Sequence, residues 1–95
     1  IDPGTQVTGF GIIEQVRGNQ RYLTSGCIRV AKHSLEKRLK YIFEGLSQLI
    51  NEYTPTVVAI EKIFVHKNIA STLKLGQARG VAIVADAMQN LLVAE

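Results

Sequence analysis

The longest regular pattern of hydrophobic positions in the chain predicts an amphipathic helix from Leu35 to Tyr53. Its apolar residues recur at three- and four-residue spacing and form one wide stripe, which consists of Leu35, Leu39, Ile42, Phe43, Leu46, Leu49, Ile50 and Tyr53. Ser34 is a favourable N-cap residue, and Pro55 disfavours helical angles at Thr54. We therefore expect this helix to begin after Ser34 and to bury one face.

Apolar stretches before this helix predict three β-strands with short connections. A strand that carries Asp2 precedes a sharp turn at Pro3-Gly4. Further strands follow from Gly9 to Val16 and from Arg21 to Val30, on either side of turn residues 17–20. Short connections favour antiparallel neighbours, so we expect an antiparallel meander.

The second half of the chain predicts a strand, a helix and a further strand. Val57–Ile60 is apolar without alternation, which is typical of a central strand covered on both faces and paired in parallel. A helix is predicted from Ile69 to Asn90, with Asn68 or Ser71 as its cap. Because this helix is apolar on more than one face, we expect it to contact its own sheet and a second subunit. Residues 91–95 begin another strand.

This order of elements predicts an α/β fold. Three antiparallel strands, then helix, strand, helix and strand, form a mixed sheet with helices on its faces. The chain begins at Ile1 without a methionine and ends within a predicted strand. We therefore expect part of one domain, truncated at both ends.

Composition and charge are those of an ordinary globular domain. The chain has 95 residues, of which 46% are hydrophobic and 20% are charged, and no apolar run is long enough to span a membrane. The formal net charge of +3 permits a polyanionic partner without requiring one. The single cysteine, Cys27, excludes an internal disulfide and fits a reducing, cytoplasmic environment.

Two acids, Asp2 and Glu61, each stand at the end of an apolar strand. If these strands are neighbours, the two carboxylates lie side by side, and a cation between them would relieve their repulsion. Mg²⁺ or Mn²⁺ suits such oxygen ligands and supports phosphodiester hydrolysis. Two carboxylates are few for this task, so further ligands are expected beyond residue 95. A structural, hydrogen-bonded pair of acids is the alternative.

Four segments in order along the chain resemble the RuvC family of Holliday-junction resolvases. They are IDPGTQVTGFGII, SGCIR, VVAIEKIF and LKLGQARGVA. The resemblance implies an RNase H-like fold, with residues 1–95 as a partial nuclease domain, and Mg²⁺-dependent cleavage of four-way DNA junctions in recombination and repair. It implies that Asp2 and Glu61 are catalytic metal ligands. It also implies two further acids beyond this chain, without which the fragment would be inactive.

The same resemblance implies roles in DNA binding and in dimerisation. Phe64 would insert at the junction centre and Lys67 would contact the DNA backbone, whereas the residues alone favour a core aromatic at position 64 and fit a solvated lysine at position 67. Gly76 and Gly80 would lie at a homodimer interface, although they fit helix-on-sheet packing as well. A branch-migration helicase complex is a further expected partner.

Three alternative functions remain open at this stage. The Asp2-Pro3-Gly4-Thr5 turn resembles the phosphate-binding hairpin of actin-like and sugar-kinase-like ATPases. A catalytically inactive module that binds junctions or forms dimers is the second alternative. A pre-ribosomal-RNA nuclease of a sister family is the third, and its substrate would distinguish it.

Overall fold

The structure is a computed structural model that describes residues 1–62 and 68–94. This part of the chain contains six helices and strands. In chain order they are β1 (Val7–Val16), β2 (Asn19–Arg29), α1 (Leu35–Tyr53), β3 (Val57–Ala59), α2 (Ile69–Met88) and β4 (Leu92–Ala94). The mixed α/β fold predicted from the sequence is confirmed.

The first two strands form an antiparallel hairpin. Arg17 and Gly18 make its turn, with φ angles of 51° and 81°. Positive φ at both turn residues matches the right-handed twist of the two strands. The turn is shorter than the predicted four residues, because Asn19 and Gln20 already pair with β1.

The predicted strand around Asp2 is reduced to a single antiparallel bridge. Asp2 and Gly9 exchange both backbone hydrogen bonds, at 2.9 and 3.0 Å. The next ladder position is Gly4, and its N–H and carbonyl bond to the Thr8 hydroxyl and not to the backbone of β1, so the pairing does not continue in that direction. The prediction of three full antiparallel strands was therefore wrong in the extent of the first strand.

The same short segment connects the hairpin to the other strand pair. β3 and β4 pair in parallel, as predicted for the apolar run at Val57. The amino group of Ile1 donates to the Ala59 carbonyl at 2.8 Å, and the Glu61 N–H donates to the Ile1 carbonyl at 3.0 Å. These two bonds have the pattern of a parallel pair with Ile1 opposite Ile60. Ile1 and Asp2 thus lie between β1 and β3.

Both helices begin and end close to the predicted residues, but only α2 has an N-cap side chain that accepts a backbone hydrogen bond. The Ser34 hydroxyl donates to the Glu36 carboxylate at 2.9 Å and caps no backbone N–H. The Asn68 side chain accepts from the Ser71 N–H at 3.2 Å, so Asn68 is the cap of α2. α1 closes with Thr54 at a φ of 47°.

The core lies between the two helices and one face of the strands. Its buried members are Val30, Ile42, Leu46, Ile60, Ala78, Ala82 and Ala85. The three alanines of α2 let the two helices approach closely. β3 is less buried than predicted, since Val57 is 54% exposed and Ala59 is also exposed. No helix in the described ranges is long and apolar enough to cross a membrane.

The turn after Asp2 is held by a buried hydroxyl. Thr8 Oγ1 accepts from the Gly4 N–H at 3.2 Å and donates to the Gly4 carbonyl at 2.9 Å, and Thr8 is fully buried. A Cβ atom at Gly4 would overlap the backbone oxygen of Val7. Glycine is therefore required here by the close approach of the chain to itself.

We predict that Gly4→Ala destabilises the fold by about 2 kcal/mol, because the backbone of the turn must shift. Urea unfolding followed by circular dichroism measures this change. Gly11→Ala is the matched control, since its nearest neighbour would be the Ser25 Cβ at 4.0 Å. Equal unfolding midpoints for the two variants would contradict the prediction.

One acid of α2 is buried in the core. Asp86 is fully buried, and neither carboxylate oxygen has a hydrogen-bond partner among the described residues. Burial raises the pKa of Asp86 to about 6. The ionised form is therefore disfavoured in the folded state.

We predict that Asp86→Asn stabilises the fold at neutral pH and that this gain shrinks in acid. The unfolded pKa is about 3.9. The folded protein consequently loses stability as the pH rises from about 4 to about 6, by roughly 3 kcal/mol in total. Urea unfolding of the Asp86→Asn variant and of the unsubstituted protein, at about pH 4.5 and at about pH 7.5, tests this dependence of stability on pH. Glu52→Gln, an exposed acid in α1, is the control. An equal gain at both pH values would contradict the assignment.

Candidate functional site

The structure places Asp2 and Glu61 side by side. Ile1 is opposite Ile60 in the parallel pairing, so the next residue of each segment is also adjacent, at a strand separation of about 4.8 Å. Ile60 is buried and Ile1 packs against the core. Because side chains alternate along extended backbone, both acids lie on the opposite, open face. Both are exposed there.

An open groove with a volume of about 720 Å³ surrounds the two acids. Its walls include Ile1, Asp2, Gly9, Phe10, Gly11, Ser25, Gly26, Cys27, Ala59, Ile60 and Glu61. Gly9 shares the face of Asp2, since a Cβ at Gly9 would lie 3.7 Å from the Asp2 Cβ. Gly9 pairs with Cys27 and Gly11 pairs with Ser25. The floor beside the acids is therefore made of small residues and leaves room for a bulky ligand.

The donor set of this groove fits a hard divalent cation. Two exposed carboxylates on one face supply the oxygen ligands that Mg²⁺ and Mn²⁺ prefer. No cluster of three or more metal-binding side chains occurs within residues 1–62 and 68–94. The described chain thus offers two ligands, and water or other groups would complete the coordination.

Arg79 is a residue of this site that the sequence patterns did not single out. Its Nε donates to the backbone carbonyl of Glu61 at 3.2 Å, across from α2. In the sequence, Arg79 stands out only as one of several basic residues after the second acid. No spacing rule places its guanidinium at Glu61, because the contact depends on how α2 folds back.

The other predicted site residues divide into two groups. Phe64 and Lys67 lie outside the described residues. Gly76 and Gly80 lie on α2, and a Cβ at Gly80 would meet no atom of residues 1–62 and 68–94 within 4 Å. Packing among these residues therefore does not require glycine at position 80.

The face of α2 around Gly80 is apolar and exposed. Its large hydrophobic residues are Ile69, Leu73, Val84 and Met88. Leu73, for example, is 64% exposed. These positions follow one another along one side of the helix together with Gly76 and Gly80.

The family model and the curated relatives that match this chain belong to the same family. The family model "Crossover junction endodeoxyribonuclease RuvC" matches residues 1–95. The RuvC of Pseudoalteromonas atlantica is 55% identical over 95 residues, and the match covers 100% of this chain and 55% of that protein. The RuvC of a Shewanella species is 53% identical with the same coverage. The chain thus spans about half the length of the curated relatives it matches.

Solved structures agree at the level of the fold. "T. thermophilus RuvC in complex with Holliday junction substrate" has a TM-score of 0.87 and 24% sequence identity, and the match covers 97% of this chain and 58% of that chain. "Thermus thermophilus RuvC structure" has a TM-score of 0.81 and 22% identity over the same shares. The predicted RNase H-like fold is confirmed, and the ATPase alternative is not favoured.

A family match over all 95 residues, together with relatives that are more than half identical along the same length, shows that the chain belongs to the RuvC family of crossover junction endodeoxyribonucleases.

Proposed function

We propose that this chain is part of a metal-dependent endonuclease that resolves four-way DNA junctions in recombination and repair. Residues 1–95 form the N-terminal portion of its nuclease domain. The observation that carries the proposal is the pairing that sets Asp2 beside Glu61 on an open sheet face. The names of the relatives and the junction bound to the Thermus protein support the choice of substrate.

Asp2 and Glu61 hold the metal, which is Mg²⁺ or Mn²⁺. When bound, the metal activates water and stabilises charge on the scissile phosphate. The backbone bonds of Ile1 and Gly9 keep the two carboxylates on one face. The small residues of the groove floor let a phosphate backbone approach them. Acids from the remainder of the protein complete the ligand set.

Two residues outside the described ranges bind the DNA. Phe64 stacks on bases and helps open the junction centre, because aromatic faces stack on unpaired bases of any sequence. Lys67 pairs with backbone phosphates, a contact that weakens as salt rises. Selectivity for the junction then comes from its shape, since phosphate contacts carry no sequence information.

A homodimer formed through α2 gives the enzyme two active sites. Resolving a four-way junction requires two symmetric cuts, and a two-fold dimer presents two equivalent sites. The exposed apolar face of α2 and the open space over Gly80 support this interface. The family resemblance adds a branch-migration helicase as a further partner, and the single cysteine fits a cytoplasmic location.

Cleavage of a labelled four-way junction by the full-length protein tests the proposed function. We predict symmetric cuts with Mg²⁺, none with chelator, and none in a linear duplex of the same sequence. Glu61→Gln should reduce cutting more than about 100-fold, because it removes a metal ligand worth several kcal/mol in the transition state. Its junction affinity in chelator should be unchanged.

Glu14→Gln is the matched control, because Glu14 is an exposed acid at the far end of β1. Normal cleavage by Glu61→Gln would refute the role of that carboxylate. Binding without cutting by the unmodified protein would favour an inactive junction-binding module. Cutting of structured RNA in place of the DNA junction would favour the sister family of nucleases.

We predict that Gly80→Leu converts the full-length dimer to a monomer without unfolding it. The new side chain meets no described residue of its own subunit but would fill the space that a second helix needs, and leucine is the better helix former by about 1 kcal/mol. Light scattering after size exclusion reports the mass, and circular dichroism reports the fold. Gln48→Leu, exposed on α1, controls for added apolar surface. An intact Gly80→Leu dimer would place the interface elsewhere.

A further inference from the structure

Glu61 carries half of the proposed metal site but belongs to no regular element. β3 ends at Ala59, and the Glu61 side chain is exposed. The parallel pairing with Ile1 holds the backbone of Glu61 on its N-terminal side only, and no packing around the exposed side chain fixes the direction of its carboxylate. Its position depends on the two polar groups of its backbone.

The N-terminal side of Glu61 is held by the strands. Its N–H donates to the Ile1 carbonyl at 3.0 Å. The preceding residue, Ile60, is 1% exposed, and its N–H donates to the Ala94 carbonyl at 2.8 Å. The chain consequently enters Glu61 from a fixed direction.

The C-terminal side of Glu61 is held by α2. Arg79 Nε donates to the Glu61 carbonyl at 3.2 Å. The backbone of α2 at Arg79 is held in place by the core, because the nearby residues Ala78 and Ala82 are fully buried. A planar guanidinium with a donor in a set direction is suited to fixing one carbonyl.

The positive charge of Arg79 does not by itself explain why this residue lies beside the proposed metal site. A cation near a divalent metal site repels the metal, so a purely electrostatic effect of Arg79 would weaken metal binding. A hydrogen bond that keeps Glu61 beside Asp2 would strengthen it. The two effects have opposite signs, and removing the side chain separates them.

We propose that Arg79 is a positioning residue for the metal site, in which its Nε–H bond to the Glu61 carbonyl keeps the Glu61 carboxylate beside that of Asp2. This inference rests on the proposed metal-dependent function. Arg79 acts neither as a metal ligand nor as a DNA contact in this proposal, and α2 becomes a structural support of the metal site.

The test uses the full-length protein with Arg79→Gln, Arg79→Lys and the control Arg21→Gln, which removes an exposed arginine at the far end of the hairpin. Calorimetry with Mn²⁺ in the absence of DNA measures metal affinity. Hydrogen exchange of the peptide that spans residues 57–62 reports the local backbone. Junction binding in chelator and cleavage with Mg²⁺ complete the set.

We expect Arg79→Gln to bind Mn²⁺ about 10-fold more weakly, as for other residues that orient metal ligands. Exchange in the peptide should quicken, while the melting temperature and junction affinity stay as in the unmodified protein. Arg79→Lys should remain weakened, because it keeps the charge and loses the fixed donor. Arg21→Gln should match the unmodified protein.

Unchanged or tighter Mn²⁺ binding by Arg79→Gln would overturn the proposal, since tighter binding is what loss of charge alone produces. Faster exchange throughout the protein would also overturn it, because the residue would then be a general stabiliser. If the unmodified protein binds Mn²⁺ but ignores junctions, the proposed substrate is wrong while the metal and exchange measurements still judge Arg79. If it binds no Mn²⁺, both proposals fail.

Discussion

The backbone pairing of Ile1 and Asp2 between two strand pairs is the constraint on which the rest of this structure depends. On one side Asp2 exchanges two hydrogen bonds with Gly9, and on the other Ile1 bonds to Ala59 and Glu61. The pairing joins the hairpin to the parallel strands. It also sets which face each side chain occupies, because a shift by one residue would turn both acids towards the core. Fold and site are therefore determined by the same few bonds.

The helices and the chemical character of the site could be predicted from the sequence because their signals are local. A stripe of apolar residues and the proline after Thr54 define α1 without reference to the rest of the chain. The two acids are recognisable because charged residues at the ends of apolar strands are unusual. That the two carboxylates lie side by side could be predicted only on the assumption that two strands distant in sequence are neighbours.

What the sequence did not reveal depends on tertiary contacts. The length of the strand around Asp2 was overestimated because a strand extends only as far as its backbone pairing with a neighbour, and the chain already turns at Gly4. Val57 was predicted to be covered, but an apolar run does not say which of its faces receives a helix. Arg79 was not assigned a role because its contact with Glu61 spans 18 residues and a change of element. The burial of Asp86 is visible only in the packed structure.

The distance in sequence between the two halves of the site has a consequence for folding. The bond from Ile1 to Ala59 closes a separation of 58 residues, whereas the hairpin and both helices are built from local contacts. Loop closure of that length has an entropic cost that only the completed core can offset. We therefore expect the acids to come together late, after the hairpin and helices have formed. A partly folded chain would then lack the paired carboxylates on which the proposed metal site depends.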